Sequence, residues 1–279
     1  MVWQRDVDLV VPLWQGGDDV RVAAGAAELA QLVPASGSRL HVAVPDGRRG
    51  VVDGVCNLEL VSQALRQMRS RLARRDPSRI LTLGGDCASD LAAVEHLGRR
   101  HRDMVVYWVD AHPDLNTPES SPSGRVHGMA LRLLLGQGHP ALLGQGRIAP
   151  RRVVLAGARE FDPQEAAFAE ASGIALVDPV RVIADPGGVV ARCAPGTPAY
   201  VHLDMDVCDP MELAAVACPA PLGPPVSSVA AALAAIAAHH DVVGVGVCEY
   251  TPVVEHDADA VRALLGALGL TSPARSAPA

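Results

Sequence analysis

Short, almost wholly apolar runs recur along the chain, and between them lie longer stretches whose apolar positions fall three and four residues apart. The runs at 7–13, 80–83, 104–109, 153–155, 199–203 and 242–247 are rich in Val, Ile and Leu and are bounded by polar or glycine-rich segments. Runs this short and this continuous are expected of strands covered on both faces of a parallel sheet. Helices are expected between them, at about 19–32, 57–74, 88–100, 128–136, 163–172, 226–238 and 257–268. Strand-then-helix order repeated in this way predicts an α/β fold, with a mostly parallel central sheet and helices on both faces. Residues 1–270 read as one domain, and the closing segment 271–279, rich in Ser, Pro and Ala, is expected to be a disordered tail.

Composition narrows what such a fold binds. A chain of 279 residues that is 49% hydrophobic can bury one large core. Its net charge of -7 argues against nucleic acid or an anionic membrane as partner, because both require a basic face. No segment approaches the roughly 20 uninterrupted apolar residues of a membrane span, and the first residues lack the basic start of a signal peptide, so a cytoplasmic location is expected. The cysteines at 56, 87, 193, 208, 218 and 248 form no Cys-x-x-Cys pair, which in a reducing compartment favours free thiols.

The polar clusters sit directly after apolar runs. Gly84-Gly85-Asp86-Cys87 follows one run, Asp110-Ala111-His112-Pro113-Asp114 a second, Asp204-Met205-Asp206 a third and Glu249 a fourth. In a parallel sheet the loops at the strands' carboxyl ends share one edge, where ligands bind. If the segments are extended, alternate side chains of Asp110, His112 and Asp114 face one point, and Asp204 and Asp206 do the same from another strand. An isolated Asp-x-Asp at a strand end is most often a cap or a turn. Four carboxylates converging on one edge are harder to explain that way, because they would protonate unless a cation compensated them. So many hard oxygen donors beside an imidazole suit two metals of the manganese type better than one tetrahedral zinc.

With those residues in view, the chain resembles the ureohydrolases, the arginase and agmatinase family of dimanganese hydrolases, over roughly residues 80–252. The stretch GGDCASD resembles the family's GGDHS, and DAHPDLNTP with SPSGRVHGM resembles its DAHxDxNTP and SGNxHGM. HLDMDVCDP resembles its SxDxDxxDP, and CEYTP resembles its glutamate motif. The resemblance implies a three-layer arginase-like α/β fold, two Mn2+, and hydrolysis of a guanidino group by a metal-bridging hydroxide. It implies that Asp110 and Asp204 bridge the metals, that Asp114 and residue 87 complete one, and that His112 and Asp206 complete the other. It further implies that Asp114 holds the hydroxide, that Glu249 pairs with the guanidinium, and that His127 shuttles protons. Asn116 and Ser123 fall in the family's substrate loop.

The departure is Cys87, where the family carries His. A thiolate ligand adds negative charge and softness, so it should weaken the metal as a Lewis acid and raise the pKa of its bound water. A weaker nucleophile needs an easier target, and an N-hydroxylated guanidine is less resonance-protected than guanidinium itself. The segment GAREFDPQE resembles the arginase stretch whose acidic residues bind the substrate α-amino group, which points to Asp162 and Glu165; an N-cap with an acidic first turn would account for the same two residues. Arg125, where arginases place Asn, can pair with an α-carboxylate or be an exposed loop residue. These readings favour Nω-hydroxy-L-arginine as substrate, giving hydroxyurea and L-ornithine. Arginase activity is the alternative, followed by an agmatinase-like hydrolase or a catalytically silent binding protein. The partner is thus a small guanidino amino acid. A monomer is expected, because the 271–279 segment carries no apolar side chain large enough to anchor an interface.

Overall fold

The computed structural model describes residues 3–190 and 193–271, so most of the expected tail, 272–279, lies outside the described residues. Ten strands and eight α-helices lie among the described residues. In chain order they are β1 (Val7–Val11), α1 (Arg21–Leu32), β2 (Ser38–His41), β3 (Val51–Val52), β4 (Val55–Cys56), α2 (Leu58–Arg75), β5 (Ile80–Gly84), α3 (Leu91–Arg100) and β6 (Val105–Val109). Then come α4 (Ala130–Leu134), β7 (Val153–Ala156), α5 (Pro163–Ser172), β8 (Ala175–Val177), α6 (Pro179–Ala184), β9 (Pro198–Asp204), α7 (Val226–His239), β10 (Asp241–Cys248) and α8 (Ala258–Ala267). Eight strands form one sheet in the order β2-β1-β5-β10-β9-β6-β7-β8, and every pairing in it is parallel.

The six expected strands and seven expected helices all form, with ends displaced by a few residues at most. Strands β1, β5, β6 and β7 are buried at every position, as expected of largely apolar strands covered on both faces. One core fills the space between the sheet and α2, α3 and α4, with Leu65, Met68, Leu91 and Leu131 fully enclosed. The other lies beneath α1, α7 and α8, around Leu29, Leu233, Leu264 and Leu265. Each such side chain contributes about 1.5–3 kcal/mol relative to exposure. Asp8 breaks the apolar run of β1 and is fully buried, but Arg5 donates to it at 2.6 and 3.2 Å and Arg39 at 3.0 Å, so the charge is paired.

The central strands β5, β10, β9 and β6 are neighbours, so the four polar clusters that follow them meet at one edge. In β10 the glycines have a packing reason. A Cβ on Gly246 would stand 1.7 Å from a carboxylate oxygen of Asp90, so only glycine lets that carboxylate lie against the strand. Among the described residues, no helix is long and apolar enough to cross a membrane.

Candidate metal centre and substrate pocket

Each cluster is shaped by its own backbone. After β5, Gly85 crosses the Leu13 carbonyl so closely that a Cβ would approach it to 1.9 Å, which brings Asp86 and Cys87 over the sheet edge. Asp86 then accepts from Ala88 N at 3.1 Å and starts a 3-10 turn, Cys87–Asp90. After β6 the chain does not stay extended, as simple alternation had required. It turns at Asp114, whose φ of 51° is left-handed, and His112 N donates to Asp110 Oδ1 at 2.6 Å. After β9, Asp204 Oδ1 accepts from Asp206 N at 2.8 Å and caps a short 3-10 turn, while Oδ2 faces Cys87 Sγ at 3.2 Å. Capping and ligand geometry thus coexist, one oxygen for each. Glu249 follows β10 at a left-handed φ of 62°, which tucks its carboxylate against Cys87 and His127.

Two groups of donor atoms result, sharing Asp110: Cys87, Asp110, His202 and Asp204 form one, and Asp110, His112 and Asp206 the other, each group's atoms within 4.8 Å of one another. His112 Nδ1 lies 3.0 Å from Asp206 Oδ2 and 3.5 Å from Asp110 Oδ1. Asp114 belongs to neither group, although it lines the adjoining pocket. Burial, reinforced by the neighbouring carboxylates, pushes Asp110, Asp114 and Asp204 above the ordinary carboxylate range and the Cys87 thiol well above its own. Burial alone would lower the His112 imidazole, but its hydrogen bonds to Asp110 and Asp206 outweigh that and push it up to about 12. Asp114 Oδ2 and His202 Nε2 are buried without any hydrogen-bond partner. Crowded buried carboxylates, with acceptors among them left unpartnered, are what bound cations would satisfy, so these residues fit a metal pair.

A pocket of about 320 Å3 opens over this cluster. Its walls include Cys87, His112, Asp114, Asn116, Ser123, His127, Asp162, Glu165, Asp204, Asp206 and Glu249, which brings together all but two of the residues singled out from sequence. Asp110 lies beneath it, fully buried. Arg125 is exposed and is not among the lining residues. Asn116 Nδ2 donates to Asp162 Oδ2 at 2.8 Å. Glu165 accepts from Leu115 N at 2.8 Å and from Asp162 N at 3.0 Å, so both of its oxygens order the loop, and burial pushes it up to about 7. His127 Nδ1 lies 3.0 Å from Glu249 Oε1, which outweighs the effect of burial and raises the imidazole.

Several participants escaped the sequence reading. Cys218 lines the pocket, its thiol pushed up to about 12 by burial and then by Glu249 and Asp206. Trp108 Nε1 donates to Asp110 Oδ2 at 3.0 Å, and its ring stacks on His202 with centroids 3.6 Å apart. Arg159 ties three loops together by donating to the carbonyls of Gly157, Asp206, Val207, Ala220 and Pro221. Only His202 had a legible signal, since His202, Asp204 and Asp206 alternate across the end of one strand.

The sequence pattern that defines the arginase family matches residues 16–269. The arginase of Schizosaccharomyces pombe is 32% identical over 213 residues, 72% of this chain and 66% of that protein. The arginase of Bacillus caldovelox is 36% identical over 151 residues, 50% of each chain. The matched segments thus span two-thirds or less of these relatives' own lengths. In three dimensions, the arginase of Entamoeba histolytica in complex with L-ornithine superposes with a TM-score of 0.84 at 22% identity, covering 96% of this chain and 99% of that one. The proclavaminate amidino hydrolase of Streptomyces clavuligerus superposes with a TM-score of 0.68 at 22% identity, covering 97% and 90%.

Proposed function

The chain belongs to the arginase family, and from that premise we propose that it is a two-metal hydrolase of guanidino amino acids whose preferred substrate is Nω-hydroxy-L-arginine, cleaved with water to hydroxyurea and L-ornithine. The individual enzyme this reading resembles is the Nω-hydroxy-L-arginine amidinohydrolase of D-cycloserine biosynthesis. The observation that carries the proposal is the placement of Cys87 among the buried carboxylates at the floor of a pocket whose wall carries Asp162 and Asn116.

Cys87, Asp110, His112, Asp114, Asp204 and Asp206 would hold two Mn2+, and that pair, when bound, would supply Lewis acidity and an activated water. The chain's own residues do the rest. Asp162 is the anionic partner for the substrate α-ammonium group, oriented by the Asn116 amide and seated on a loop that Glu165 holds rigid. Ser123 lines the same pocket and offers a hydroxyl to the α-carboxylate. Arg125, exposed and outside the pocket lining, is the candidate for a bidentate pair with that carboxylate. Glu249 faces the guanidino end, and its carboxylate now shares His127 Nδ1, so an arriving guanidinium competes for the same oxygen. The freed imidazole is then placed to carry a proton to the departing amine of ornithine.

A second reading, hydrolysis of L-arginine to urea and L-ornithine, is favoured by the arginase relatives. The Entamoeba arginase, crystallised with L-ornithine, supports an amino-acid substrate in either case. The test is hydrolysis by the Mn2+-loaded enzyme of Nω-hydroxy-L-arginine against agmatine, for wild type and Asp162→Ala. Wild type should prefer the amino acid, and Asp162→Ala should raise its KM at least tenfold while leaving agmatine unaffected. An unchanged KM removes Asp162 from substrate binding, and a preference for agmatine overturns the amino-acid reading.

A further inference from the structure

We propose that His202 is a protein ligand of the metal on the Cys87 side, supplying from strand β9 the imidazole that position 87 does not. The inference rests on the two-metal reading above and adds a donor to it. In the motif that this stretch resembles, position 202 is Ser and position 87 is His, so the chain departs at both places.

The geometry leaves His202 little else to do. It lies two residues before Asp204 on β9, with 0% of its surface exposed. On an extended strand, residues two apart point to the same side, so the ring and the Asp204 carboxylate are directed alike. Its Nδ1 lies 2.7 Å from Asp90 Oδ2. An ionised carboxylate can only accept, so Nδ1 carries the hydrogen and Nε2 is left with its lone pair free. Nε2 has no hydrogen-bond partner. Asp110 Oδ2 is 3.9 Å away, beyond hydrogen-bond reach, and already accepts from Trp108 Nε1. One ligand atom each from Cys87, Asp110, His202 and Asp204 lies within 4.8 Å of the others, which is the spacing of donors around one ion.

Two contacts hold the ring in that orientation. Trp108, its cross-strand neighbour on β6, stacks on it with an interplanar angle of 10°. Asp90 fixes its other nitrogen, and Gly246 makes room for Asp90, since any Cβ there would meet the carboxylate. A carboxylate behind a histidine whose far nitrogen faces an acidic cluster is the arrangement by which proteins orient metal-binding imidazoles. The competing reading is a buried Asp90–His202 ion pair that merely packs. It would leave an Nε2–H with nothing to donate to, a sizeable cost that a metal-bound Nε2 does not incur. The charge balance agrees. Cys87 as thiolate with two carboxylates already exceeds the charge of a divalent ion, so a neutral donor completes the set without adding more repulsion.

The test is X-ray absorption at the manganese edge on the wild-type chain loaded with Mn2+, which counts coordinated imidazoles without reference to activity. Two imidazoles per metal pair, from His112 and His202, are expected, falling to one in His202→Asn. Metal titration of the same variant should show one of the two sites weakened at least ~10-fold, the lower end of what losing even an orienting partner costs. Two bound Mn2+ with a single imidazole in the wild type would overturn the assignment of His202 while leaving the two-metal reading intact. No Mn2+ bound by the wild type would overturn both. Because the imidazole count is read on the wild type, the result does not depend on the variant folding.

Discussion

Removing the Arg159 guanidinium should loosen the loop that carries Asp206. Its side chain, half-buried behind the pocket, donates to five backbone carbonyls at 2.8–3.1 Å, on the segments 157, 206–207 and 220–221. A hydrogen bond from a charged donor contributes about 1.5–3 kcal/mol, but these five share one group and are not additive, and water can enter to replace part of the set. The expected loss for Arg159→Ala is therefore about 3 kcal/mol. In a chain of this size that corresponds to a Tm lowered by about 6–12 °C. Arg159→Lys retains the charge, but an ammonium has three donors and no planar fork, so it should recover less than half. The assay is thermal unfolding in chelator, followed by Mn2+ titration, where the alanine variant should bind one metal about tenfold more weakly because Asp206 is no longer held. A Tm within 1 °C of wild type for Arg159→Ala, or full recovery by Lys, would refute the clamp.

Three further outcomes follow from the same geometry. Cys87→Ala should bind one metal where wild type binds two, and Cys87→His should bind two; two metals held as tightly by the alanine variant, measured by elemental analysis and titration, would remove Cys87 from the ligand set. His127→Ala should cut kcat/KM by about 10²–10⁴ on both L-arginine and Nω-hydroxy-L-arginine, because the amine of ornithine is the departing group in either reaction and needs the same proton; a loss of less than about tenfold on both substrates would argue against a proton-transfer role. Glu165 titrates near 7 in the folded chain, raised by burial above its ordinary value, so the stability it contributes is greatest at low pH and is lost as pH rises from about 4.5 through 7. In metal-free protein, Glu165→Gln should therefore gain on wild type across that interval, by about 3 kcal/mol at most, and a pH-independent difference in unfolding free energy would contradict the shift.

Much of the architecture was legible because it depends on apolar periodicity. The central strands are covered on both faces, so each reads as an unbroken run such as Val105–Val109, and its helices follow at once. What was missed lies at the margins. Strand β2 has the sequence Ser-Arg-Leu-His and no fully buried position; β8 is three residues long, and α6 only six. Such segments gain little from burial, and their pairing is decided by neighbours remote in the chain. The donor clusters were visible because they sit at strand ends. Their geometry was not, because it depends on left-handed turns at Asp114 and Glu249 that nothing local demands. Arg125 matched by position in the chain, yet lies outside the pocket lining, since chain position does not report the direction of a loop side chain. The contact behind His202, from Asp90, joins residues remote in the chain and became visible only in the fold, and the bond from Trp108 to Asp110, only two residues apart, depends on the turn that follows β6.

The most direct test is a competition. The Mn2+-loaded chain is given L-arginine and Nω-hydroxy-L-arginine at equal concentration, and urea, hydroxyurea and L-ornithine are resolved by mass. Hydroxyurea in at least tenfold excess over urea, with ornithine equal to their sum, is the predicted result. Urea in excess would contradict the specificity drawn from Cys87, and no ornithine from either substrate, with two Mn2+ bound, would contradict the hydrolase reading altogether.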